Sequence, residues 1–128
     1  MNLLLDTHAF VWWANEPDKL SDKVLNLLKN RENQLILSVA SAWEMQIKMQ
    51  LGKLKLETAL QDLIKSQQIT NELKILVVNL KHVLELDKLP YHHKDPFDRI
   101  LIAQANIEDF TIVSKDDIFS KYPVKVIW

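Results

Sequence analysis

The chain opens with Asn2-Leu3-Leu4-Leu5-Asp6-Thr7-His8, in which three consecutive leucines are followed at once by a carboxylate. An apolar run without polar alternation predicts a strand that is buried on both faces, as in the middle of a parallel sheet. Asp6 would then stand at the carboxyl end of that strand. Because ligands of open α/β sheets bind outside the carboxyl ends of the strands, Asp6 is a candidate for chemistry.

Apolar runs and helical spacing along the rest of the chain predict an alternation of strands and helices. After the first strand we expect strands at residues 34–38, 74–78, 110–113 and 124–128, the third buried and the last at an edge. We expect helices at residues 7–15, 21–30, 41–48, 57–66, 80–86, 96–108 and 117–121. This order predicts one α/β domain over residues 1–128, with a central, mostly parallel sheet of about five strands and helices on both faces.

Composition narrows the possible functions. The 128 residues are 48% hydrophobic and 26% charged, which is typical of a globular protein. Lys and Arg total 16 against 17 for Asp and Glu, so no overall charge attracts nucleic acid or a membrane surface. The absence of cysteine excludes thiolate chemistry, and a single glycine excludes glycine-rich phosphate loops. With no secretory signal or apolar span in the sequence, we expect a cytoplasmic protein without membrane contact.

Four acidic residues, far apart in sequence, are predicted to meet at one edge of the sheet. Each helix that follows a strand begins at the carboxyl edge, since it must run back antiparallel to the strands. We place Asp6 and Asp116 just past strand ends, and Glu44 and Asp98 in the first turns of helices. The topology alone would therefore gather these four carboxylates.

Structural roles are open alternatives for three of these acids. Asp6 could cap the helix that begins at Thr7, since Asp is favoured at that position. Asp98 would fall at the third helical position, where a negative charge complements the helix dipole. Asp116 or Ser114 could cap the last short helix.

Glu44 is harder to explain as a structural residue. Trp43, Met45 and Ile47 surround it in a segment that is predicted to be interior. A buried carboxylate needs a partner, and Lys48, one turn away on the same helix face, could supply one. A salt bridge between Glu44 and Lys48 is therefore the alternative to a functional role.

Several like charges in one pocket are costly unless a cation neutralises them. Oxygen ligands without His or Cys favour Mg²⁺ or Mn²⁺, and Mg²⁺ commonly bridges to phosphate oxygens. Hydrolysis of a phosphodiester is therefore the leading functional inference. Plausible phosphate contacts are Lys48, Lys53, Lys55, Arg99 and Lys115.

Histidine and tryptophan residues are assigned mainly structural roles. His92 and His93 lie in a polar turn, which favours an exposed loop over metal ligation. The neighbours of His8 suggest packing. Trp12, Trp13 and Trp43 are interpreted as core residues rather than platforms for nucleotide bases.

At this point the sequence resembles the PIN-domain ribonucleases of the VapC toxin type over its whole length. The resemblance rests on the order and spacing of several short motifs: Leu5-Asp6-Thr7-His8, Ser41-Ala42-Trp43-Glu44-Met45-Gln46-Ile47-Lys48, Gly52-Lys53-Leu54, His93-Lys94-Asp95-Pro96-Phe97-Asp98-Arg99, Ile102-Ala103-Gln104-Ala105, and Ser114-Lys115-Asp116 with Phe119. It implies a three-layer PIN-like fold and an endoribonuclease that depends on Mg²⁺ or Mn²⁺.

By the same resemblance, the catalytic and metal-binding acids would be Asp6, Glu44, Asp98 and Asp116. Thr7 would match the hydroxyl beside the first acid, and Ser114 stands where the family more often has threonine. The resemblance also implies an RNA substrate, a homodimer and a cognate antitoxin. Lys48 and Arg99 would support the site.

Asp95 belongs to the Asp-Pro-Phe-Asp-Arg motif of this subgroup, but its position before Pro96 predicts a helix cap. Two other classes of function remain open. A metal-dependent phosphatase would need an acceptor Asp with a neighbouring acid, whereas Thr7 and His8 follow Asp6. A non-catalytic binding module would use the acids only as caps and ion pairs.

Overall fold

A five-stranded sheet organises the molecule. The computed structural model describes residues 1–128. The strands are β1 (Asn2–Leu5), β2 (Gln34–Ser38), β3 (Lys74–Leu76), β4 (Thr111–Val113) and β5 (Val126–Ile127). They lie in the order β3-β2-β1-β4-β5, and every neighbouring pair is parallel. The predicted α/β fold with a parallel sheet of about five strands is confirmed.

Six helices connect and cover these strands. They are α1 (Thr7–Asn15), α2 (Asp22–Lys29), α3 (Val39–Gln50), α4 (Leu60–Asn71), α5 (Leu80–Glu85) and α6 (Pro96–Glu108). Short 3₁₀ segments lie at Pro17–Lys19, Leu86–Lys88 and Asp117–Lys121. None of the helices has the length and apolar character that a bilayer span requires.

Two apolar cores lie on opposite faces of the sheet, because successive side chains of a strand point to opposite sides. Leu3 and Leu5 pack in one core together with Phe10 of α1. Leu4 packs in the other core, where α6 supplies much of the apolar surface. All three leucines of β1 are fully buried, so the strand is central, as predicted.

Three local predictions differ from the structure. β3 is an edge strand with two of its three residues exposed, so the prediction that it is buried was wrong. α3 begins at Val39 rather than at residue 41, because Ser38 ends β2 and also caps the helix by accepting from the Ala40 N–H at 3.1 Å. α4 begins and ends later than predicted, and Glu72 closes it in the left-handed conformation with φ 53°.

Candidate active site

Asp6 lies between the carboxyl ends of β1 and β4. Its backbone N–H donates to the Val113 carbonyl at 3.1 Å, which ties it to the neighbouring strand. Its carboxylate caps α1 by accepting from the Ala9 N–H at 2.8 Å, and the residue is 6% exposed. The predicted capping role is therefore present, and it holds a buried carboxylate at the edge of the sheet.

Burial is the main cause that raises the pKa of Asp6. The negative charge of Glu44 raises it further, whereas hydrogen bonds from Ser114 and Ala9 and the charge of His8 lower it. The net shift is upward, so the local hydrogen bonds do not fully compensate the ionised form.

Glu44 lies in the second turn of α3 rather than in the first, since the helix begins two residues earlier than predicted. The Thr7 hydroxyl donates to its Oε1 at 2.5 Å, and the Lys48 ammonium lies 3.0 Å from its Oε2. The salt bridge that we considered as an alternative is thus formed. Glu44 is nevertheless hydrogen-bonded to Thr7, the residue directly after Asp6, so it also faces the same edge.

Asp98 is the third residue of α6, as predicted. Asp95 caps this helix and accepts from the backbone N–H groups of Phe97 and Asp98 at 2.9 and 3.1 Å. Pro96 occupies the first helical position. The predicted capping role of Asp95 is confirmed, and it directs the Asp98 side chain, which is 20% exposed, to the start of the helix.

The Asp98 carboxyl, like that of Asp6, has a raised pKa. Burial raises its pKa to about 7, helped by the negative charges of Asp95, Glu44, Asp6 and Asp116. A carboxylate at a helix N-terminus that served only the helix dipole would have a lowered pKa. The raised pKa of Asp98 therefore reflects burial first, and the contributions of Asp95, Glu44, Asp6 and Asp116 indicate that these acids lie close enough to repel one another.

Asp116 is an exposed residue just beyond β4. Its carboxylate caps the last 3₁₀ segment by accepting from the Ile118 N–H at 3.0 Å, and its own N–H donates to the buried Ser114 hydroxyl at 3.0 Å. Its negative charge contributes to the raised pKa of Asp98. Asp116 thus borders the acidic pocket, while Ser114 lies beside Asp6 within it.

The basic residues do not all fit their predicted roles. Arg99 is 9% exposed and donates to the Pro90 carbonyl at 3.0 Å and to the Tyr122 hydroxyl at 3.2 Å. Its guanidinium is therefore engaged inside the fold, which does not agree with its interpretation as a phosphate contact. Lys53 and Lys115 are exposed, and Lys48 neutralises Glu44.

Two aromatic predictions were wrong. Trp43 is 64% exposed and packs edge-on against Phe97 at 5.2 Å between ring centroids, so it is a surface residue rather than a core residue. His8 is exposed rather than packed inside. Trp12 and Trp13 are partly buried against the core that contains Leu3, as expected.

Sequence reasoning missed His93. Its Nε2 lies 3.3 Å from Asp98 Oδ2, and its Nδ1 lies 2.7 Å from the Tyr122 hydroxyl. The spacing of five residues between His93 and Asp98 was visible in the sequence, but the contact with Tyr122, 29 residues later, was not. Only His92 of the pair is the exposed loop residue that we predicted.

The chemistry of these residues fits a hard divalent cation. The acids offer oxygen donors, and two of them have raised pKa values that a nearby cation would lower. No group of three or more His, Asp or Glu side chains is arranged closely enough to hold an ion by itself. An ion bound here would therefore retain several water ligands, as Mg²⁺ usually does in proteins.

The fold and the site define an α/β protein with an acidic pocket at the carboxyl edge of a parallel sheet. The PIN domain family model matches residues 3–125. The chain therefore belongs to the PIN-domain family. A sequence search of curated proteins gave no significant match.

Solved structures share the fold over nearly the whole chain. VapBC2 from Rickettsia felis, bound to a DNA fragment from its promoter, is 21% identical with a TM-score of 0.73, covering 99% of this chain and 98% of that one. DNA-bound VapBC from Salmonella typhimurium is 13% identical with a TM-score of 0.66, covering 99% and 97%. FitAcB from Neisseria gonorrhoeae is 15% identical with a TM-score of 0.64, covering 98% and 96%. At these identities the likeness shows the fold.

Proposed function

We propose that this protein is a VapC-type toxin, an endoribonuclease that depends on Mg²⁺ or Mn²⁺. Asp6, Glu44, Asp98 and Asp116 would hold the metal. The observation that carries the proposal is the acidic pocket at the carboxyl edge, where Asp6 follows β1, Thr7 binds Glu44 and α6 begins beside them, and where burial and the neighbouring charges raise the pKa of Asp98 to about 7. Family membership supports it independently.

The side chains of the chain would prepare the pocket for a phosphodiester. A divalent ion held by Asp6, Glu44, Asp98 and Asp116 would supply a Lewis acid able to activate water and to stabilise charge on the scissile phosphate. Thr7 donates to Glu44 and Lys48 neutralises its other oxygen, so this carboxylate is held in one orientation. No Ser, Cys or Lys is needed as a covalent nucleophile.

Two protein partners belong to the proposal: a second copy of the chain and a cognate antitoxin. The solved structures that share the fold include VapBC2 from Rickettsia felis and a toxin–antitoxin complex from Klebsiella pneumoniae. An open apolar groove supports association, since it is lined by Val39, Trp43, Val83 and Phe97 and large apolar patches mark interaction sites.

A binding module without catalysis is the second candidate, because several of the acids have structural roles in this fold. Asp6, Asp95 and Asp116 each cap a helix, and Glu44 pairs with Lys48. These contacts would exist in a protein that binds no metal. Asp98 is different, because its carboxylate caps no helix and its pKa is raised by burial and by the charges of four other acids.

The deciding experiment incubates the purified chain with a panel of structured RNAs in Mg²⁺, in Mn²⁺ and in EDTA. We expect cleavage with a divalent ion and none in EDTA. Asp116→Asn should slow cleavage, whereas the matched control Asp117→Asn, one residue away and exposed, should not. The binding-module alternative predicts RNA of unchanged length in every arm, and reading the fragment ends would define the cut.

A further inference from the structure

Tyr122 stands at the centre of a hydrogen-bond cluster behind the acidic pocket. Its side chain is buried, at 4% exposure, and follows the last 3₁₀ segment. Three N–H groups lie within reach of its hydroxyl oxygen: the backbone of His92 at 3.2 Å, the backbone of His93 at 3.3 Å, and Arg99 Nη1 at 3.2 Å. Each of these groups can only donate.

These donors determine which way the Tyr122 hydroxyl points. Three N–H groups already compete for the two lone pairs of the phenol oxygen, so it has no capacity to accept from the His93 ring as well. The remaining contact, 2.7 Å to His93 Nδ1, must therefore use the phenol O–H as donor. Nδ1 is then the acceptor nitrogen of the imidazole.

The tautomer of His93 follows from this contact. An imidazole that accepts at Nδ1 carries its proton on Nε2, and that nitrogen lies 3.3 Å from Asp98 Oδ2. Arg99, Tyr122 and His93 thus form a chain of donors that all point the same way and end on one oxygen of Asp98. Oδ1 of Asp98 accepts no hydrogen bond within the protein.

We infer that His93, held in its Nε2–H tautomer by Tyr122, is a positioning residue that fixes the Asp98 carboxylate through Oδ2 and leaves Oδ1 available to bind a metal. This inference rests on the proposed function. The plane of an Asp carboxylate is loosely held by its own torsion, so an external donor is needed to orient it. Asp6 and Glu44 have such donors in Ala9 and Thr7, and His93 is the corresponding donor for Asp98.

The test measures Mn²⁺ binding to the full chain without RNA, from the electron paramagnetic resonance signal of free Mn²⁺. Partners that orient a metal ligand commonly contribute 10–100-fold in affinity, so His93→Ala should weaken Mn²⁺ binding by roughly tenfold. His93→Gln keeps an N–H near the position of Nε2 and should recover most of the loss. Tyr122→Phe should weaken binding by about threefold, because it frees His93 to take the other tautomer.

His92→Ala is the matched control. His92 packs edge-on against the Tyr122 ring at 4.9 Å between ring centroids but does not contact Asp98, so its loss should leave Mn²⁺ affinity unchanged. RNA cleavage provides a second readout: His93→Ala should need more Mn²⁺ for half-maximal rate, with a rate near that of the parent once saturated. A purely structural role would change folding stability in EDTA without this shift.

The possible outcomes separate the inference from the function on which it rests. If the parent neither binds Mn²⁺ nor cleaves RNA, the proposed function fails. If the parent does both and Tyr122→Phe and His93→Ala match its Mn²⁺ affinity, only the positioning role is overturned. Should His93→Ala fold poorly, Tyr122→Phe and His93→Gln decide, since both conserve the size of the side chain.

Discussion

The two ends of helix α6 place carboxylates in opposite environments. Asp98 near its start has a pKa raised to about 7, whereas Glu108 at its end has a lowered pKa. Glu108 accepts from His82 at 2.9 Å and lies 3.3 Å from the Lys81 ammonium. Both acids stand on one rigid element, about 15 Å apart along its axis.

The difference lies in what surrounds each acid rather than in the helix. Hydrogen bonding from His82 is the main cause that lowers the pKa of Glu108, and Lys81 adds to it. Asp98 has one side-chain donor, His93, at 3.3 Å, and its other neighbours include carboxylates that raise its pKa. A compensated acid stabilises the fold, whereas an acid left uncompensated at a pocket is a candidate for binding a cation.

The largest expected effect concerns RNA cleavage by variants at the two ends of α6. Asp98→Asn keeps the size and the helix position of the side chain but removes a charge that the proposed metal requires. We expect its cleavage rate in Mg²⁺ to fall at least about 100-fold, while Glu108→Gln retains the rate of the parent. Timed RNA digestion with a gel readout measures both. An equal loss of cleavage rate in the two variants would contradict the proposed difference between the two ends of α6.

The position of the acidic pocket could largely be predicted from the sequence, because local patterns of apolar and helix-capping residues determine the order of strands and helices. The leucine run of β1, the proline after Asp95 and the alternation of strands and helices already predicted that Asp6, Glu44 and Asp98 would share an edge. Their mutual effect on the pKa of Asp98 agrees with that prediction. The sequence pattern could not predict which hydrogen-bond donors and charges surround each acid.

The features that were missed depend on contacts between distant residues. The apolar run at β3 gave no sign that the strand pairs with β2 alone and lies at the edge of the sheet. His93 and Arg99 occupy a polar stretch that predicts exposure, yet Tyr122 from the end of the chain buries Arg99 and engages His93. Trp43 was interpreted as core from its neighbours, although a helix turns adjacent residues to different sides.

A smaller effect should appear in the stability of the protein without metal. Because the folded state raises the pKa of Asp98 from 3.8 to about 7, the ionised carboxylate opposes folding at pH 8, and this cost decreases progressively as the pH falls from about 7 towards 3.8. Asp98→Asn should therefore stabilise the chain in EDTA at pH 8 by about 1 kcal/mol, a value reduced for partial exposure to water. At pH 5 the gain should be less than half of its value at pH 8, because part of the pKa difference still acts there.

Urea unfolding of the parent and of Asp98→Asn at both pH values measures this difference. Asp117→Asn serves as the control, since its side chain is exposed and does not act on the Asp98 pKa. If Asp98→Asn is less stable than the parent at pH 8, then the ionised Asp98 carboxylate is stabilised by its surroundings. Asp98 and Glu108 would then not differ in the way proposed here.

The smallest effect concerns Glu108 and has the opposite sign. A lowered pKa in the folded state means that ionised Glu108 stabilises the fold above its unfolded pKa, and that this contribution is lost as the pH falls through the folded pKa. Glu108→Gln should thus destabilise the chain at pH 7 by about 0.5 kcal/mol, since the partly exposed pair is screened by water.

The matched control for that variant is Asp109→Asn, the next residue in the chain. Asp109 has φ 58°, a conformation that Asn adopts readily, and its only partner is the exposed Lys125 at 2.9 Å. We expect no measurable change in its free energy of unfolding, because an ion pair this exposed contributes little. If Glu108→Gln were equally silent at pH 7, its partners would not be stabilising the end of α6, and the two ends of the helix would differ only in the repulsion around Asp98.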